Sequence, residues 1–173
     1  MWSLQPAAPE SPAVVYPNNV SNLQGWVDTH VLLVTDLQNA YWLGDDGKLI
    51  QTVPLRDIYG TTFEVHESDS LRVNPGNPDL LLVSANYLAG PLGTGSNAKQ
   101  PVGGIFLYEL RTKRRAVLTP PEQSAHHGEW SRDGVQIFYT TQLSSATSMT
   151  YRVFWDGSAM KRYVAGSDFV IGQ

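Results

Sequence analysis

Residues 129–141 read Glu129-Trp130-Ser131-Arg132-Asp133-Gly134-Val135-Gln136-Ile137-Phe138-Tyr139-Thr140-Thr141. One run enters an Asp-Gly turn and a second run, rich in β-branched and aromatic residues, leaves it. Glycine accepts the positive φ that a tight hairpin turn demands, so the stretch predicts two antiparallel strands. The pattern continues through Thr150–Trp155, a second turn at Asp156-Gly157, and Lys161–Val164. Together these make a unit of four strands joined by short turns.

Two looser copies lie upstream. One runs through Ser70–Val73, a turn at Asn74-Pro75-Gly76-Asn77-Pro78, Asp79–Ala85, Gly104–Leu110 and Arg115–Leu118. The other runs through Leu23–Val27, His30–Thr35, Ala40–Leu43, a turn at Asp45-Asp46-Gly47, and Leu49–Val53. Aligning the second strands at Leu32, Leu81 and Ile137 gives spacings of 49 and 56 residues, and the longer step holds an insertion from about Asn86 to Val102. Further strands are predicted at Ala13–Tyr16, Thr62–His66, His127–Ser131 and Phe169–Ile171. No segment combines sustained 3.6-residue apolar spacing with a capping pattern, so helix is minor or absent. The chain reads as all-β and antiparallel, with repeats at about 20–55, 62–120 and 124–165 behind a Pro/Ala/Ser-rich spacer at 1–12.

Four antiparallel strands per repeat is the blade of a β-propeller. The stretch from Glu129 to Tyr139 resembles the W-S-P-D-G-K-x-I-x-[FY] core of TolB-like, WD40-like (PD40-type) propeller repeats, with Arg132 where that family usually has Pro. Gly104–Leu110, followed by Leu118-Thr119-Pro120-Pro121, resembles the same family's third strand and closing Leu-Thr. The resemblance implies a propeller of which about three blades are visible, whereas closed rings have about 4–8. Three blades leave two open edges. Three closures are open: the chain is part of a longer protein, a homo-oligomer such as a dimer completes six blades, or Ala13–Tyr16 and Phe169–Ile171 share a fourth sheet.

Composition narrows the function classes. The 173 residues and 19.1 kDa fit one domain or two small ones. Charged residues make up 16%, below the roughly 25% of an average domain, and the net charge is −4. A broad electrostatic grip on nucleic acid needs a basic surface, so nucleic acid is not an expected partner. There are no cysteines, which removes disulfides, thiolate metal sites and cysteine nucleophiles. The apolar runs at Val31–Val34 and Leu80–Val83 are far short of a membrane helix, so direct membrane insertion is not expected. Residues 1–12 lack the basic and apolar regions of a signal peptide, although such a spacer commonly follows a removed signal or anchor.

Candidate chemistry concentrates at His126-His127-Gly128-Glu129. On a regular strand His127 and Glu129 share one side and His126 takes the other. A same-face imidazole and carboxylate is a candidate pair for a divalent metal, the one cofactor the sequence suggests. The segment also resembles the His-bearing blade entry of oligogalacturonide lyases, although the remaining histidines, His30 and His66, occupy no equivalent position. The bland reading makes these histidines structural or surface groups. Asn86, Tyr87, Thr94 and Asn97 in the insertion are candidate partner contacts, since long loops carry binding. The Gly-rich run Gly90–Gly95 lacks a following Gly-Lys-Ser/Thr, and no Gly-x-Ser-x-Gly elbow occurs. Asp45-Asp46-Gly47-Lys48 lacks the alternating oxygen ligands of a calcium loop, and Arg111 with Lys113-Arg114-Arg115 reads as a solvated turn. Trp2, Trp26, Trp42, Trp130 and Trp155 are expected mainly in blade cores.

The leading expectation is a non-catalytic propeller module that binds a protein partner, periplasmic or secreted. The alternatives are a carbohydrate-binding or lyase-like propeller using His127, Glu129 and a metal, and a gating propeller segment of a peptidase.

Overall fold

The computed structural model describes residues 22–88, 102–144, 147–158 and 161–165. These residues form three antiparallel sheets in chain order. The first comprises β1 (Asn22–Trp26), β2 (Val31–Thr35), β3 (Asn39–Gly44) and β4 (Leu49–Pro54). The second comprises β5 (Phe63–Glu64), β6 (Ser70–Asn74), β7 (Asn77–Tyr87), β8 (Gly103–Glu109) and β9 (Arg114–Val117). β5 and β6 pair successive stretches of the same edge of β7, so this sheet is also four strands wide. The third comprises β10 (Ala125–Trp130), β11 (Gln136–Ser144), β12 (Thr147–Phe154) and β13 (Lys161–Ala165). A five-residue helix, α1 (Leu55–Tyr59), joins the first two sheets, and a 3-10 turn at Pro121–Gln123 precedes the third.

The middle sheet buries both faces, and the alternation of its side chains divides two cores between them. Leu81, Val83, Phe106 and Tyr108 pack with Leu33, Ala40 and Trp42 of the first sheet and with Leu55, Ile58 and Tyr59 of α1. Leu82, Ile105 and Leu107 point the other way, onto Ala125, Trp130, Ile137, Tyr139 and Val153 of the third sheet. A sheet covered on both sides needs apolar residues at successive positions, which is why Leu80–Val83 and Ile105–Tyr108 read as unbroken runs. Leu81 faces the preceding sheet, and so does Ile137. Leu32, at the same place in the first repeat, joins Val34, Tyr41 and Leu43 on the face turned away from the second sheet.

Several expectations are adjusted. The strand expected over Thr62–His66 keeps only Phe63 and Glu64, and the chain then loops before β6 begins. Asn86 and Tyr87 are not insertion residues: β7 extends through them, with Asn86 opposite Gly103 and Tyr87 opposite Phe63. Trp42 and Trp130 are core, but Trp26 and Trp155 are 63% and 51% exposed. Arg115 leaves its turn to donate to the carbonyls of Ile58 (2.7 Å) and Asp57 (2.9 Å), satisfying acceptors at the end of α1. Ala13–Tyr16, Phe169–Ile171, Thr94, Asn97, Trp2, the spacer and Gly90–Gly95 lie outside the described residues.

Packing is tightest where sheets two and three meet. A Cβ on Gly103 would lie 2.1 Å from His126 Cε1 and 2.4 Å from the Ala125 carbonyl oxygen, so no side chain fits. Gly103→Ala should therefore cost several kcal/mol, because the obstacle includes backbone. Leu82→Ala, in the core of the same interface, should cost about 2–5 kcal/mol. Ile50→Ala on the exposed edge strand β4 should stay within about 0.5 kcal/mol. Urea unfolding of the three variants checks this order.

Candidate functional site

The edge strands β1, β6 and β10 converge around Arg72. From β6, its Nη1 donates to the Gln24 carbonyl on β1 at 2.7 Å, and its Nε donates to Glu129 Oε1 on β10 at 3.0 Å. Its own carbonyl accepts from Trp130 Nε1 at 3.0 Å. Gln24 reinforces the first junction, accepting from the Leu71 amide at 2.9 Å and donating to Thr35 Oγ1 at 3.0 Å. Asn74 reinforces the second by donating to the Gly134 carbonyl at 2.8 Å, at the Asp133-Gly134 turn. A single charged side chain thus touches all three sheets.

Two cavities flank Arg72. One, about 290 Å³, lies between β1 and β6 and is bordered by Gly25, Trp26, Leu33, Leu71 and Val73. The other, about 230 Å³, lies between β6 and β10 and is polar: Asp69, Ser70, Ser84 and Asn86 face His126, His127 and Glu129. The loop that interrupts the edge between β5 and β6 supplies Asp69 to its wall.

A β-bulge reshapes the histidine cluster. His126 pairs with Thr140 and Glu129 pairs with Phe138, so two residues, His127 and Gly128, oppose the single Tyr139. The extra residue reverses the alternation. His126 and Glu129 now share a side, whereas the regular-strand reading had put His127 with Glu129. His127 takes the left-handed conformation, φ 55°, a backbone state uncommon for a residue with a Cβ. Gly128 fills the bulge, and its amide donates to Ser84 Oγ at 2.8 Å on the neighbouring sheet. His126, His127, Glu129 and Asn86 therefore border one chamber, although Glu129 is held by Arg72. Tyr87 packs its ring at a tilt against Phe63 and donates to the Thr119 carbonyl. Among the described residues no three His, Asp or Glu side chains gather closely enough to hold a metal ion.

Burial governs the ionisation of this chamber. Asp69 is buried, and desolvation pushes its carboxyl up to about 6, against the hydrogen bonds from the His66 amide (2.7 Å) and the Tyr59 hydroxyl. Burial pushes His126 below its ordinary value, with His127 acting the same way. Neither Asp69 nor Arg72 was singled out by motif. The available signal was a charge embedded in the apolar strand Leu71-Arg72-Val73 with an acid just before it.

No protein-family profile and no curated protein matches the chain. Among solved structures it is similar to a protein provisionally assigned as TolB from Agrobacterium tumefaciens, at 16% identity and a TM-score of 0.39. The match covers 81% of this chain and 60% of that one, so the chain spans about three fifths of that protein's length. No helix among the described residues is long and apolar enough to cross a membrane.

Because Asp69 binds its proton more tightly when folded, its contribution to stability is complete below about pH 4 and is lost as pH rises through about 6. His126 acts oppositely, its contribution being lost as pH falls. Asp69→Asn isolates the first effect: relative to the wild type, its melting temperature should rise between about pH 4 and about pH 7. An unchanged difference across that range would refute the assignment. Arg72→Ala should cost about 1.5–3 kcal/mol through its charged hydrogen bonds. A double-mutant cycle with Glu129→Gln should return only about 0.5–1 kcal/mol for the half-exposed ion pair, falling with salt.

Proposed function

We propose that this chain is a three-blade segment of a β-propeller that serves as a non-catalytic protein-binding module outside the cytoplasm, with a second copy completing a six-blade ring. The observation that carries the reading is the unfinished stack. Leu81 and Ile137 each face a preceding sheet, while Leu32 and its neighbours form an apolar face with no sheet among the described residues packed on it. Leu23 pairs with Val34 and Leu49 pairs with Leu43, so both extend that face, and they are 69% and 54% exposed. Side chains of this size left in water favour association.

The non-catalytic part draws support from the ties on the acids of the chamber. Glu129 is occupied by Arg72, and Asp69 by the His66 amide and Tyr59. The extracytoplasmic part rests on the resemblance of the last repeat to TolB-like repeats.

Solution mass tests the reading. Light scattering on the purified chain should give twice 19.1 kDa, and Leu23→Lys combined with Leu49→Lys should return the mass to that of one chain without lowering the content of β-structure. A folded wild-type chain that stays at the single-chain mass at high concentration would remove ring closure by a second copy.

A further inference from the structure

We infer that residues His66–Asp69 form a strap along the chamber between β6 and β10, and that protonation of Asp69 latches it shut. The inference is independent of how the ring is closed.

The path of the chain gives the strap its form. β5 and β6 pair with one edge of β7 on either side of Ala85, and residues 65–69 leave that edge between them. Val65 packs against the core of the first two sheets at one end, and Leu71 is buried in it at the other. Between these anchors His66, Glu67 and Ser68 are exposed, and Asp69 is the one buried residue. Ser68, Asp69 and Ser70 line the chamber opposite His126, His127 and Glu129. A short exposed segment held by one buried group opens at far lower cost than the sheets beside it.

Asp69 makes the closing contacts. Its Oδ2 accepts from the His66 amide at 2.7 Å, and its own amide donates to the His66 carbonyl at 3.1 Å. The Tyr59 hydroxyl of α1 bonds the same carboxyl. Two ties come from β1: Asn22 donates to the Glu67 carbonyl at 2.7 Å, and Gln24 to the Asp69 carbonyl at 3.4 Å.

Charge sets the direction of the latch. Among the described residues no Lys or Arg forms an ion pair with Asp69. Arg72 of β6 is engaged by Glu129 of β10 and by the Gln24 carbonyl. Glu64 of β5 has the same sign as Asp69, Glu67 lies in the strap itself, and the His66 ring, which opposes them, is exposed. β1 offers only neutral Asn22 and Gln24, and His126 and His127 stand across the chamber. Burial outweighs the hydrogen bonds and pushes the carboxyl up to about 6. The closed strap therefore favours the neutral acid, whereas an open strap returns the carboxylate to water. Closure is complete below about pH 4 and weakens as pH rises through about 6.

Hydrogen exchange on the intact 173-residue chain tests this, with protection taken relative to the intrinsic rate at each pH. The His66 and Asp69 amides should lose protection about tenfold between about pH 5 and about pH 7. Both should be less protected than the amides of β2 and β3 and indifferent to low urea, which marks local opening. Asp69→Asn should abolish the pH dependence. The chain has no cysteine, so Ser70→Cys reports on the chamber wall. At neutral pH a thiol reagent should label Ser70→Cys faster alone than in combination with Asp69→Asn. Where Asp69→Asn fails to fold, NMR titration of the wild-type Asp69 carboxyl decides, with a midpoint of about 6 expected. Protection independent of pH overturns the inference. So does a fall that persists in Asp69→Asn, labelling at equal rates, strap amides that exchange only with the core, or a carboxyl that titrates at about 4.

Discussion

A four-stranded sheet has two faces, and a single neighbour covers only one of them. In this chain the middle sheet is the one with described sheets on both sides, and its side chains alternate between the two cores without exception along Leu81–Val83 and Ile105–Tyr108. A one-residue slip in β7 or β8 would exchange the two cores, so the register of the whole stack is set there. Large residues face one side and a slightly different set faces the other. Phe106 and Tyr108 fill the space toward Trp42 and α1, while Ile105 and Leu107 meet Trp130 and Tyr139.

The inner edges pose a separate problem, since β1, β6 and β10 end their sheets there and their outer backbone groups have no further strand to pair with. Polar side chains solve it where apolar packing thins out. Gln24 serves the Leu71 amide, Arg72 serves the Gln24 carbonyl, and Trp130 serves the Arg72 carbonyl. Those ties hold three strands at fixed separation without closing the gaps between them, which leaves the two cavities. Arg72 takes part in both junctions, toward Gln24 on one side and Glu129 on the other.

Much of this was legible beforehand. Asp133-Gly134 and Asp156-Gly157 mark hairpins by a purely local requirement, and the 49- and 56-residue spacings place Leu32, Leu81 and Ile137 on second strands, where they are found. The candidate cluster borders a chamber, with an orientation that differs from the regular-strand reading. Strand alternation assigns His127 and Glu129 to one side only if the strand is regular, and Gly128 lets the chain bulge so that its amide reaches Ser84. Asn86 and Tyr87 looked like the start of an insertion because the apolar run ends at Ala85. The hydrogen bonds of β8 carry the strand two residues further, and Phe63 gives the Tyr87 ring a packing partner.

What the sequence determined by itself is what local chemistry controls. It specified an all-β chain, hairpins at Asp-Gly turns, a repeat of four strands, and apolar runs that must be covered on both sides. Only the tertiary structure decided which groups meet. Arg72 lies 48 residues from Gln24 and 57 from Glu129, and no local pattern relates such positions. The exposure of Trp26, the burial of Asp69 and the turn of His127 out of register have the same origin. Each depends on how closely a neighbouring sheet approaches, and that distance is set by the packing of side chains far away in the chain.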